Sequence, residues 1–318
     1  MAREVVVGVD GGSTKTRAVV HDRRSGERLG EGRVIGSTNL WMHGAEGPEV
    51  TASILQGAIR AALPDEPVEI VAACVGTAGI DAPGDAERHL EAFLGAPLLA
   101  PLGPTRLRVV SDVAVIEACG STNLRVCAIA GTGSNTLGVR LEQGIAVDRR
   151  QVGGLDLDLS DDGSAAWIGH YAFRAALRDL QGQEESELGP AIARAVGLSG
   201  ERTPAVWRAF RSVRESIHKS ELAALAGDVV SPLAASDAVA RRILERAGTV
   251  LAENIDAAAR LVGGGDRLEV LLVGGVWKEP VVRDCAEAWL TEKWSTVLFH
   301  DADAAEGAAR IARALEAD

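Results

Sequence analysis

Apolar positions in this chain fall into short β-branched runs separated by stretches of helical spacing. Val5-Val6-Val7-Gly8-Val9 reads as a buried strand that breaks at Asp10-Gly11-Gly12-Ser13-Thr14-Lys15-Thr16. A second apolar run at 17–22 makes this a strand–glycine turn–strand hairpin, and a third strand is expected at about 28–35. The polar run Gly36-Ser37-Thr38-Asn39-Leu40-Trp41 has loop character. Val50, Ile54, Leu55, Ala58, Ile59 and Ala62 recur at helical spacing, predicting a helix over 48–63 that stops before Pro64. A continuous apolar strand at 68–75, a helix at 83–94, a strand at 107–110 ending on Ser111-Asp112, and a helix at 113–119 follow. This β-β-β-α-β-α-β-α order implies a mixed sheet with helices on its faces.

The order then repeats in outline. A strand at 125–130, the turn Gly131-Thr132-Gly133-Ser134-Asn135 and a strand at 136–141 form a second hairpin, about 120 residues after the first. Beyond Gly153-Gly154 the pattern is mostly helical, at 163–180, 185–196, 204–217 and 235–262. A strand at 268–273 ends on Gly274-Gly275, and a helix at 280–290, a strand at 296–299 and a helix at 302–315 close the chain. Two similar hairpins suggest two related halves facing one cleft. The expected division is a first lobe of 1–117, completed by 301–318, and a second of 118–300 carrying a helical insertion.

Composition narrows the functional classes. The 318 residues are 47% hydrophobic and 25% charged, with mean hydropathy near zero, as in a globular protein large enough for two domains. A net charge of −12 argues against nucleic acid as a partner. The N-terminus enters a strand without a signal peptide, and no apolar run reaches membrane-spanning length, so a cytoplasmic protein with no membrane partner is expected. Cys74, Cys119, Cys127 and Cys285 are scattered without Cys-x-x-Cys spacing and read as thiols of a reducing compartment.

Candidate chemistry gathers at strand ends, where ligands of α/β sheets bind. A glycine-rich hairpin tip presents backbone N–H groups at short range and suits phosphate. The first hairpin is neither a Walker A loop nor a Rossmann turn, because its second element is a strand. Two such tips would grip a polyphosphate. Asp10 would hold Mg²⁺ through water, since Mg²⁺ keeps much of its hydration. Asp112, opening a helix, suits a general base toward a hydroxyl and equally suits a plain N-cap. Metal, phosphate cradle and positioned base are what phosphoryl transfer needs. Asn39 reads equally as a ligand and as a brace for its own turn; Trp41 and Trp167 read equally as core.

These residues, in this order, resemble the sugar kinase/actin/Hsp70 superfamily, and within it the N-acetylglucosamine kinases and related ATPases. The same family includes activators of benzoyl-CoA reductases and 2-hydroxyacyl-CoA dehydratases. The matching segments are Asp10 to Thr16, Ser37-Thr38-Asn39-Leu40-Trp41, Asp112, Gly131 to Asn135, Gly153-Gly154 with Ser160-Asp161-Asp162-Gly163-Ser164 and Trp167-Ile168-Gly169, Leu272-Val273-Gly274-Gly275-Val276, and Glu306-Gly307-Ala308-Ala309. They span essentially the whole chain. The resemblance implies an α/β, two-domain actin-like ATPase (ribonuclease H-like) fold with an interdomain cleft that closes on sugar.

The resemblance further implies an ATP-dependent kinase acting, with Mg²⁺, on the 6-hydroxyl of N-acetylglucosamine or glucosamine. Gly11, Gly12, Ser13, Thr14, Lys15, Gly131, Thr132, Gly133, Gly274 and Gly275 would bind ATP, and Asp112 would be the base. Asn39, Ser134, Asn135, Gly154, Leu155 and Asp161 would hold the sugar; a homodimer is common among relatives. N-acetylglucosamine kinases usually read Gly-Gly-Trp-Gly where this chain has Gly153-Gly154-Leu155-Asp156-Leu157-Asp158-Leu159. The extra acids would favour a free amine, as in glucosamine; alternatively Asp156 and Asp158, alternating with Leu155, Leu157 and Leu159, point to solvent. Competing classes are an activator ATPase holding an iron–sulfur cluster, which the cysteine spacing disfavours, and a non-catalytic sugar sensor.

Overall fold

The computed structural model describes residues 2–12, 15–80, 82–142 and 145–315. In chain order, β1 (Arg3–Gly11), β2 (Lys15–Asp22), β3 (Arg28–Ile35), α1 (Gly47–Ala62), β4 (Val68–Thr77), α2 (Asp85–Phe93), the one-turn α3 (Gly103–Arg106), β5 (Leu107–Ser111) and α4 (Asp112–Glu117) form the first run. The second run opens with β6 (Leu124–Ala130), β7 (Ser134–Glu142) and β8 (Ile145–Val152). It continues through α5 (Ala165–Leu180), α6 (Leu188–Ala195), α7 (Pro204–Ser216), α8 (Lys219–Leu225) and, after a π turn at 226–230, the one-turn α9 (Ser231–Leu233). α10 (Ala238–Leu261), β9 (Arg267–Val273), α11 (Pro280–Lys293), β10 (Thr296–Asp301) and α12 (Ala304–Ala314) complete it.

Two compact units result, one of residues 1–121 with 302–318 and the other of 122–301. In the first, the five strands run in the order β3-β2-β1-β4-β5, with β1, β4 and β5 parallel and the β1-β2-β3 meander antiparallel. Alternation along β1 sends Val5, Val7 and Val9 into a core shared with Leu55 and Ile59 of α1. The opposite face takes α12, whose backbone crosses so close to Gly8 that an added Cβ would strike the Ala305 carbonyl and the Ala309 nitrogen.

The second unit repeats the plan, with strand order β10-β9-β6-β7-β8 and β6, β9 and β10 parallel. Gly138 in β7 lies under the Ala258 carbonyl of α10, again without space for a side chain. The buried Trp277 indole donates to the Ala128 carbonyl at 2.9 Å, tying the segment after β9 to β6. Besides the one-turn α3 and α9, two elements go beyond the sequence expectation. β8 is an edge strand, and α8 with its π turn fills 219–230, a stretch the sequence reading left without an element. The α8 segment lines the candidate site.

Candidate active site

Hydrogen-bond register fixes the candidate residues of the first unit. Asp10 lies opposite Gly76, Gly11 opposite Thr77, and Thr77 opposite Ser111, so Asp10 and Asp112 occupy the carboxyl ends of the parallel strands β1, β4 and β5. Gly12 donates to the Lys15 carbonyl at 3.1 Å, closing the first hairpin, and Lys15 is exposed. Ser13 and Thr14 lie outside the described residues. Gly11 is required where it stands, because a Cβ there would overlap the Thr38 hydroxyl. The N-cap of α4 is Ser111, whose Oγ accepts from the Ala114 amide at 3.3 Å; Asp112 is the first helical residue and not a cap.

The Asp10 carboxyl is pushed up to about 6, first by burial, then by the charges of Asp112 and Asp303, against the opposing pull of Arg17 and Lys15. Three carboxylates around one strand end are the setting a cation relieves. Among the described residues no group of three or more His, Cys, Asp or Glu side chains has metal-binding geometry. Asp10 alone, with water and phosphate oxygens completing the shell, fits the habit of Mg²⁺.

The Asn39 loop is stitched to the same edge. The Thr38 and Thr77 hydroxyls are 2.8 Å apart, the Trp41 indole donates to the Gly79 carbonyl at 2.9 Å, and the Leu40 amide donates to Nε2 of buried His89 at 3.2 Å. Asn39 Oδ1 accepts from the Trp41 amide at 3.0 Å, so the residue does brace its turn. Trp41 is half exposed and no core residue, whereas Trp167 is buried against Tyr171.

In the second unit, the hairpin tip between β6 and β7 is closed by Gly131 N–H donating to the Gly133 carbonyl at 2.8 Å. The Ala165 and Ala166 amides of α5 donate to the Gly131 and Thr132 carbonyls at 2.9 and 3.2 Å, holding the tip on the start of that helix. Gly133 abuts the Asp161 carboxylate, the Ser134 hydroxyl donates to the Asp162 carbonyl at 2.9 Å, and Gly154 abuts the Asn135 amide. Buried Asn135 Oδ1 has no partner, an orphaned polar atom of the kind a ligand hydroxyl or amide satisfies. Ser134, Asn135, Gly154 and Asp161 are therefore brought together.

Leu155 is not packed with them; its side chain is 64% exposed. The stretch after Gly154 is a turn in which the Leu159, Ser160 and Asp161 amides all donate to the Asp156 carbonyl, with Asp156 at φ +87°. Asp156 and Asp158 do lie at the surface, but not by strand alternation: Leu155 and Leu159 face solvent too, and Leu157 packs against the core. Asp158 is exposed as well, but Asp156 is not an unpaired acid, because Lys219 Nζ lies 2.6 Å from its Oδ1. That pair pulls the Asp156 carboxyl below the usual range.

Gly274 takes φ +111°, with no space for a Cβ beside the Ala130 carbonyl, and turns the chain so that Gly275 faces a cavity of about 480 Å³. Gly131 and Thr132 line the same cavity, so three of the expected ATP residues share it. Its wall also takes in Ser220, Ala223 and Ala224 of α8, Gly227 of the π turn, Ser231 and Glu279, which sequence reasoning missed. Small side chains carry no chemistry to announce; what they contribute is space.

Residues 7–312 match the sequence profile of the BadF/BadG/BcrA/BcrD ATPase family. The chain belongs to that family. No curated protein is recognisably similar in sequence. Among solved structures, a provisionally named N-acetylglucosamine kinase from Chromobacterium violaceum is 25% identical, with 98% of this chain and 99% of that one covered and a TM-score of 0.70. A second provisionally named N-acetylglucosamine kinase, from Porphyromonas gingivalis, is 22% identical over 98% and 99%, with a TM-score of 0.68. A ROK family glucokinase from Streptomyces griseus, solved with glucose and AMPPNP, shares the fold at 18% identity over 97% and 98%, with a TM-score of 0.56. The fold is that of the actin-like ATPase superfamily, as the sequence motifs implied.

Proposed function

We propose that this ATPase-family member is an ATP-dependent kinase that phosphorylates the 6-hydroxyl of an amino sugar. The observation that carries the reading is the shared cavity: Gly131 and Thr132 at a phosphate-type hairpin and Gly275 at an adenosine-type turn line one space of nucleotide dimensions. The likeness to the Chromobacterium violaceum protein supports an amino sugar as acceptor. On this reading Asp112 accepts the proton of the attacking hydroxyl. Asn39, Ser134, Asn135 and Asp161 orient the sugar, and the amides of both hairpins bind phosphate. Mg²⁺, held beside Asp10, would supply neutralising charge for the polyphosphate. With the Asp156 carboxylate taken by Lys219, that acid is not free to favour an ammonium, so we put N-acetylglucosamine ahead of glucosamine. The protein would act in the cytoplasm.

The activator reading is not favoured. Cys74 and Cys127 are buried, burial pushes the Cys74 thiol up to about 12, and the Cys119 and Cys285 thiols donate to the Asp303 and Glu245 carbonyls.

Coupled ADP release with Mg²⁺-ATP and N-acetylglucosamine, glucosamine, N-acetylmannosamine or glucose tests the proposal. It expects sugar-dependent turnover with the highest kcat/KM for N-acetylglucosamine. ADP release that no sugar raises would overturn the kinase reading.

A further inference from the structure

Helix α8 faces two ways. Ser220, Ala223 and Ala224 line the nucleotide-sized cavity, while Lys219, in the first turn of the same helix, reaches the loop that carries Gly154 and Asp161. Its ammonium lies 2.5 Å from Asp161 Oδ2 and 2.6 Å from Asp156 Oδ1. Asp161 is 3% exposed. A carboxylate that deep is costly to bury unless it is paired, which sets this contact apart from an ordinary surface ion pair. Asp156, the other partner, is the sole non-glycine residue at positive φ among the described residues, and its carbonyl gathers three amides of the same loop. Partial burial alone would lower the Lys219 ammonium, but the hydrogen bonds it donates to the Asp156 and Asp161 carboxylates outweigh that and raise it.

We propose that Lys219 is a positioning residue that couples nucleotide binding to the acceptor loop. By fixing the Asp161 carboxylate and bridging it to Asp156, it makes loop 153–164 follow α8 when nucleotide occupies the cavity. That the loop receives a sugar rests on the proposed kinase function; the coupling itself rests on the ion pairs, the cavity lining and membership of an ATPase family. A pair that served folding alone would not respond to nucleotide.

The test uses the full chain and its Lys219→Met and Lys219→Arg variants, with Mg²⁺ and β,γ-imido-ATP as the probe. Hydrogen exchange is followed in peptides covering 153–164 and 219–225. In the wild type the analogue is expected to slow exchange in both segments, by about fivefold or more in the loop, the lower range of ordinary allosteric coupling. Lys219→Met keeps the protection of 219–225 and loses that of the loop; Lys219→Arg restores it. Asp156→Asn, an exposed site that tolerates change, loses part of the loop response and serves if Lys219→Met does not fold. With N-acetylglucosamine as acceptor, Lys219→Met raises the acceptor KM about tenfold, the cost of one charged hydrogen bond, and leaves the ATP KM within about twofold. Equal loop protection in wild type and Lys219→Met overturns the proposal, as does a wild-type loop that ignores the analogue or a protein that binds none. A failure to phosphorylate any sugar strikes the kinase reading and leaves the exchange result to decide the coupling.

Discussion

Asp10→Asn should make the metal-free protein more stable, and by an amount that depends on pH. In the folded chain the Asp10 carboxyl titrates at about 6, against an ordinary 3.8. Because the folded value is the higher one, the folded state holds a proton that the unfolded chain gives up, and stability falls as pH rises between about 4 and 6. One pH unit of such a difference is worth about 1.4 kcal/mol, so the ionised carboxylate costs the first unit about 3 kcal/mol above pH 7. At pH 4.5 the same arithmetic leaves about 1 kcal/mol. Asparagine removes the charge and keeps the shape. In EDTA-treated protein at pH 8, the variant should melt about 6–12 °C above wild type, taking about 2–4 °C per kcal/mol for a unit of this size. The gap should shrink by more than half at pH 4.5, and millimolar Mg²⁺ should stabilise wild type more than the variant. Differential scanning fluorimetry across pH reads all three. A variant no more stable than wild type at pH 8, or a gap independent of pH, would refute the electrostatic account of this strand end.

Three further outcomes follow from the same geometry. Gly8→Ala should destabilise the first unit by about 1–3 kcal/mol, as overpacking does, because its Cβ meets the backbone of α12; urea midpoints read this, and an unchanged midpoint would contradict that packing. Gly227→Phe points a ring into open space lining the cavity, so it should weaken ATP binding about tenfold or more in calorimetry while the melting temperature holds. Asp156→Asn should leave the ratio of kcat/KM for N-acetylglucosamine over glucosamine within about twofold of wild type, because its carboxylate already belongs to Lys219; a large gain for N-acetylglucosamine would show that the acid does meet the substrate amine.

Much of the architecture was legible because buried strands with a continuous apolar signal, such as 68–75, announce themselves, as do capped helices. β8 was not. It is a sheet-edge strand whose Asp148-Arg149-Arg150-Gln151 centre offers no apolar face, so neither period appears. The α8–π segment was missed for another reason: its alanines and glycine form a wall whose value is the space beside it. Hairpin tips and strand-end acids could be read, since glycine, hydroxyl and carboxylate interrupt an apolar run where the strand ends. The Lys219–Asp161 pair could not, because contact across 58 residues (219 − 161) leaves no local pattern. The turn at Asp156 was misread as alternation, and only the three amides on its carbonyl show why Leu155 and Leu159 point outward.

The central claim, phosphoryl transfer from ATP to an amino-sugar hydroxyl with Asp112 as base, is tested most directly by the product. Purified protein is incubated with Mg²⁺-ATP and N-acetylglucosamine, and the sugar fraction is assigned by ³¹P and ¹H NMR, with Asp112→Asn beside it. The account predicts a phosphomonoester coupled to the two C6 protons, formed about 10²–10⁴-fold more slowly by the variant. A wild-type protein that hydrolyses ATP and leaves the sugar unmodified, or an Asp112→Asn variant as fast as wild type, would contradict it.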